Sequence, residues 1–215
     1  MTKKTLQLMA TLALAAGIGF SGVTAHAAEG ETPAPGTTTT QATVELKPGD
    51  GGTGGVGSIS LEKAPGASFS DKLNGTTQVL GDAAFTEDSL VVNDKGSGTG
   101  WTVHVNSSAF KDTDNGSVMK ASEMAFLTPV VGTVTGEDSA SGHPTASGDI
   151  KFASQGSEDM LVFSAAKDAG VGQWAAKYTK PQFTVAGGNK AGNYASTLTW
   201  TLSNAPGGTD TGDQA

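Results

Sequence analysis

The 215 residues include 31 glycines, no cysteine, 13 basic residues and 21 acidic ones, giving a formal charge of −8. The lack of cysteine excludes disulfides, thiolate metal sites and a lipidated cysteine. Every basic residue is a lysine, scattered along an acidic chain, which leaves no basic patch for nucleic acid or an anionic membrane.

In chain order, Lys3 and Lys4 precede an uncharged Leu- and Ala-rich run, Leu6 to Phe20, and the small-x-small step Ala25-His26-Ala27. This pattern predicts a secretory signal peptide over residues 1–27, cut between Ala27 and Ala28. The run is short for a bilayer core, which takes about 20 apolar residues. The mature protein is therefore expected to be exported, to act at the cell surface and to have no membrane span. Loss of Lys3 and Lys4 takes its formal charge from −8 to −10. Residues 28–41, rich in Thr and Pro, read as a flexible leader. Residues 42–206 form the predicted domain, and the polar tail 207–215 is expected to be disordered.

Within the domain, short β-prone runs alternate with turn residues. Strands are predicted over Ala42–Lys47, Gly57–Glu62, Thr76–Leu80, Ser89–Asn93 and Trp101–Asn106. Further strands are predicted over Met124–Leu127, Val130–Thr135, Asp149–Ala153, Met160–Phe163, Gln182–Ala186 and Tyr194–Ser203. Asn74-Gly75, Gly81-Asp82, Asp114-Asn115-Gly116 and Gly187-Gly188-Asn189 supply turns. Ser164–Asp168 is compatible with one helical turn, and the glycine content works against anything longer. The expected fold is all-β: an antiparallel β-sandwich of many short strands with Gly-rich loops.

No catalytic constellation emerges. His104 alternates with Val103 and Val105 and reads as an outward-facing strand residue, and His143 as a turn residue. The acids Glu137-Asp138 and Glu158-Asp159 are adjacent, which sends them to opposite faces of a strand or into solvent. Asp112-Thr113-Asp114-Asn115-Gly116 resembles the start of a calcium loop, but its Gly falls one position early and no Glu occupies the twelfth position, so a hairpin turn is preferred. No metal, cofactor or enzymatic activity is expected.

The most distinctive pattern occurs twice. In Gly100-Trp101-Thr102-Val103 and in Leu198-Thr199-Trp200-Thr201-Leu202, Trp and an aliphatic residue share one strand face. Tyr194, Leu198, Trp200 and Leu202 fall on one face, and Thr199, Thr201 and Ser203 on the other. Pro206 is expected to end pairing. Two readings stay open: the rings fill the sandwich core, or one or both are exposed and stack on sugars. Trp174 and Tyr178, four residues apart, are candidates for a second aromatic platform.

Gly96-Ser97-Gly98-Thr99-Gly100-Trp101-Thr102-Val103, followed distally by Tyr194, Trp200-Thr201-Leu202 and Pro206, resembles the WxL domain of Gram-positive bacterial surface proteins. The resemblance covers about residues 42–206. The family usually has Leu where this chain has Val103, and Arg or Asn where it has Lys95. The resemblance implies non-covalent attachment to peptidoglycan or an associated wall polymer. It also implies work alongside other WxL or WxL-interacting surface proteins. Trp101, Val103, Tyr194, Trp200 and Leu202 become the candidate wall-binding residues. An acidic chain on an anionic wall should bind more tightly as pH falls toward the sequence pI of about 4.7.

Overall fold

A computed structural model describes residues 44–50 and 55–204. The expected signal peptide with its Ala27/Ala28 cleavage point, the leader 28–41, Pro206 and the tail 207–215 lie outside the described residues.

The described residues contain strands and no helix. β1 (Gly55–Val56), β2 (Ile59–Lys63), β3 (Gly66–Ser70), β4 (Gln78–Val79) and β5 (Asp82–Glu87) come first. β6 (Ser89–Asp94), β7 (Trp101–Ser107), β8 (Lys111–Asp112), β9 (Glu123–Thr133) and β10 (Thr145–Ala146) follow. β11 (Ile150–Ala153), β12 (Ser157–Ala165), β13 (Gly172–Val185), β14 (Tyr194–Ala195) and β15 (Leu198–Ser203) complete the set.

The strands build an antiparallel sandwich. One sheet runs β1-β2-β6-β13-β9-β11, with β4 added at the end of β13; the other runs β10-β12-β7-β15. Two hairpin-sized sheets, β3–β5 and β8–β14, stand outside these ladders. β1 lies against β15 at one margin of the sandwich and β11 against β12 at the other.

Alternation decides which side chains meet between the sheets. From the four-stranded sheet, Trp101, Val103, Val105 and Phe163 point inward; Leu90, Val92, Phe126, Phe152, Trp174 and Tyr178 face them, all buried. Tilted and edge-to-face pairs knit the inner face of the larger sheet, among them Phe126 with Phe152 at 5.5 Å and with Tyr178 at 5.9 Å.

Several expected elements change. Val44–Lys47 forms no strand, and Val44 and Leu46 are 83% and 86% exposed. Alternation alone makes no strand where no neighbouring edge supplies hydrogen bonds. The two strands expected around Thr128-Pro129 are one, β9. Thr128 takes φ 52° and donates its N–H to Asp149 Oδ1 at 2.7 Å, so the strand kinks without ending. The strand expected from Gln182 begins ten residues earlier, at Gly172. Ser164 and Ala165 belong to β12, and the helix-compatible patch holds only a turn at Lys167-Asp168. The final strand is broken into β14 and β15, where Thr197 N–H donates to Ser108 Oγ at 2.8 Å.

One core group is electrostatically awkward. Tyr178 is 1% exposed, and its hydroxyl has no hydrogen-bond partner among the described residues. Burial, and secondarily the charge of Asp149, push its phenol well above the usual range. Its folded pKa exceeds its unfolded one, so its contribution to stability is complete below about pH 10 and declines as pH climbs from there. Tyr178→Phe is expected to change stability at pH 7 by less than about 1 kcal/mol, because no hydrogen bond is lost. It should also flatten the alkaline decline. Urea unfolding of both proteins at pH 7 and pH 10.5 checks this; a clear loss at pH 7 would reveal a partner for the hydroxyl.

Candidate functional site

The two tryptophan motifs occupy different environments. The first is built into the core. β7 is an internal strand, paired on one side to β12 and on the other to β15, so side chains on its inner face are closed in from both flanks. Trp101 and Val103 are 0% exposed. The indole Nε1 donates to Gly170 O at 3.2 Å, and the ring meets Phe163 edge-on at 4.8 Å.

The preceding glycine turn shapes this seat. Asp94 is fully buried, and its carboxylate accepts the N–H groups of Gly96, Ser97 and Gly98 at 3.1, 2.6 and 3.2 Å. Gly100 takes φ +81°, and a Cβ there would stand 2.7 Å from Ala165 O. Gly170 takes φ +67°, and a Cβ there would stand 2.4 Å from Ala165 Cβ and 2.9 Å from Trp101 Nε1. Both positions need glycine for conformation and for space. The Gly-rich motif is thus a device for seating a buried Trp.

The second motif reaches the surface. Among the described residues β15 is the last strand of its sheet and pairs only with β7. Leu202 is buried, Leu198 and Trp200 are half-buried, and Thr199, Thr201 and Ser203 are exposed, giving the expected alternation. Trp200 and Leu198, with Tyr194 from β14, line an open groove of about 1000 Å³.

Residues remote in sequence complete the groove. Phe69 from β3 joins Phe110, Met119 and Phe183; Phe183 packs against Phe69 at 5.2 Å and Phe110 at 5.0 Å. The loop Asn189–Asn193 forms one wall. Asn189 clamps it, accepting from Lys120 N–H at 2.8 Å and donating to Lys120 O and Ala186 O at 2.9 Å each. Tyr194 Oη donates to Lys190 O at 3.2 Å, which holds the ring at the rim. Lys72 and Lys190 also line the groove. Asp71 beside them accepts Gly81 N–H at 2.8 Å and Lys72 N–H at 2.7 Å, and these bonds hold its carboxyl below the usual range.

The aromatic platform expected at Trp174 and Tyr178 is absent. Each is 1% exposed, and a ring without a free face has nothing to stack on a sugar. Trp174 is covered by the exposed His143, their rings 4.8 Å apart. His104 Nδ1 lies 2.7 Å from Asp159 Oδ2, without the alignment of a hydrogen bond. Asp112–Gly116 is a hairpin turn: Gly116 N–H donates to Asp112 O at 2.8 Å, and Lys111 bridges Val118. Among the described residues, no three His, Asp or Glu side chains gather to hold a metal.

Sequence reasoning named Tyr194 and Trp200 but missed their partners. Phe69, Phe110, Phe183, Lys72 and Lys190 share no motif, and no local pattern in the sequence marks them as neighbours.

Compared with known proteins, residues 31–206 match a family described as "WxL domain surface cell wall-binding". No curated protein and no solved structure matches. The match spans nearly all of the chain and both tryptophan motifs, so the chain belongs to the WxL domain family of surface cell-wall-binding proteins.

Proposed function

We propose that this protein is held on the wall non-covalently by peptidoglycan, through the groove that Tyr194 and Trp200 line. One observation carries the reading: of the named aromatic candidates, these two keep accessible ring surface, and they share one cleft. A groove with an aromatic rim and an apolar floor can bury part of a polymer while its ends run on into solvent. Trp101 and Val103 would then act by shaping β7, the strand against which β15 is held.

The test is a pelleting assay of the exported chain with purified walls, with and without teichoic acids. Binding to both preparations is expected, strengthening as pH falls toward 4.7. No soluble glycan fragments should be released. Failure to pellet with either preparation would sink the reading.

A second reading, a structural subunit held in a surface complex by protein contacts, is favoured by β10 and β11, each of which ends its hydrogen-bonded ladder among the described residues. A stoichiometric partner that retains the tagged protein when wall binding is blocked would support it.

A further inference from the structure

We infer that the groove takes the peptide part of the wall polymer, an extended, carboxylate-bearing, alanine-rich stem peptide, and not the glycan strand. This rests on the groove being the wall site. Three features carry it.

The first is the main chain. Every residue from Ala64 to Leu73 lines the groove, and so does every residue from Asn189 to Ser196. Within these runs β3 and β14 are extended; successive side chains of extended backbone point opposite ways, so strand residues that all line the groove present their edge to it. Among the described residues β3 pairs only with β5, and β14 only with β8, so each has an edge that no described strand covers. Free edges offer N–H and C=O groups in the spacing of a peptide, which a sugar chain does not reproduce.

The second feature is the floor. Phe110, Met119, Phe183, Leu198 and Trp200 present carbon and sulfur surface. Alanine methyl groups at alternate positions of an added strand would meet this surface, and Met adapts to small side chains.

The third is charge. In a chain of net charge −8, the groove has Lys72 and Lys190, neither ion-paired among the described residues. Asp71 is the one carboxylate in the lining and stays ionised, its charge held by two backbone N–H groups, so two Lys stand against one Asp. The groove therefore suits an anion, and stem peptides carry carboxylates where the repeating N-acetylated sugars are mainly neutral.

The experiment titrates soluble probes into the exported chain and follows tryptophan emission. Trp200 is the half-buried indole, while Trp101 and Trp174 are already closed off. The probes are a synthetic pentapeptide of stem composition (L-Ala, D-Glu, L-Lys and two D-Ala), its carboxyl-amidated form, a tetramer of N-acetylglucosamine, and glycerol phosphate. A saturable blue shift is expected with the pentapeptide and none with the tetramer or glycerol phosphate. Amidation should weaken binding about fivefold, as should Lys72→Gln with Lys190→Gln, the size of two partly exposed ion pairs. Urea unfolding of the double variant should be unchanged, which separates lost contacts from lost fold. A shift with the tetramer and none with the pentapeptide would overturn the inference and leave wall binding standing. Pentapeptide binding by a chain that does not pellet with walls would keep the peptide site and remove the wall function. No shift with any probe overturns the inference.

Discussion

Trp101→Ala is expected to cost about 3–5 kcal/mol of stability, the range for emptying a buried large aromatic site. Trp101 is 0% exposed, donates to Gly170 O and packs on Phe163. Its removal opens a cavity and leaves a buried carbonyl without its donor, and both losses fall at one place in the core. Against a typical total of about 5–15 kcal/mol, much of the folded margin would go. Urea unfolding measures the loss. Wall binding should fall only as the folded fraction falls, so binding normalised to folded protein should match the parent chain. A binding defect in fully folded Trp101→Ala would mean that this ring, or the strand it anchors, contacts the ligand.

Trp200→Ala combined with Tyr194→Ala is expected to do the reverse. Both rings are half-buried at the groove, so their truncation strips contact surface while the sealed core between the sheets remains. Wall affinity should drop at least about tenfold, in keeping with a pair of aromatic contacts near a binding centre. Stability should fall by about 1–2 kcal/mol, less than for a fully buried aromatic. The paired measurement is pelleting with walls beside a urea curve. Wall binding unchanged in the cooperatively folded double variant would remove the groove from the wall-binding mechanism. The two variants together separate the motifs: stability should respond most to the first and attachment to the second.

Much of the fold was legible in the sequence because alternation and turn residues act locally. β7, β11 and most of β15 fall where Val, Ile, Phe, Trp and Leu alternate with other residues, and β6 where Leu90, Val91 and Val92 run together. β3 and β5 were missed. Gly66-Ala67-Ser68-Phe69-Ser70 and Asp82-Ala83-Ala84-Phe85-Thr86-Glu87 are built largely from small and polar residues of weak strand preference. They pair with each other, and each has one Phe turned to the core, Phe69 on Phe183 and Phe85 on Phe126. The early half of β13 was hidden by Pro181, which reads as a break. Pro181 lies where β13 has left β6 at Lys177 and has not yet met β4 at Thr184, a stretch paired to β9 alone.

The candidate site was only half legible, for a similar reason. Tyr194 and Trp200 sit in a recognisable motif, but Phe69, Lys72, Phe110 and Lys190 reach the groove only because β3, β8 and the loop before β14 converge there.

By itself, the sequence determined the all-β class, the membership of the WxL family and the shared strand face of Trp with its aliphatic partner, because these depend on residue type at short spacing. It could not decide which Trp was core and which was surface, since both motifs alternate in the same way. Strand order decided that. β7 is flanked on both sides, which seals Trp101, whereas β15 ends its sheet and leaves Trp200 beside open space. The neighbours of a strand are set by pairings between residues far apart in the chain, and no local pattern records them.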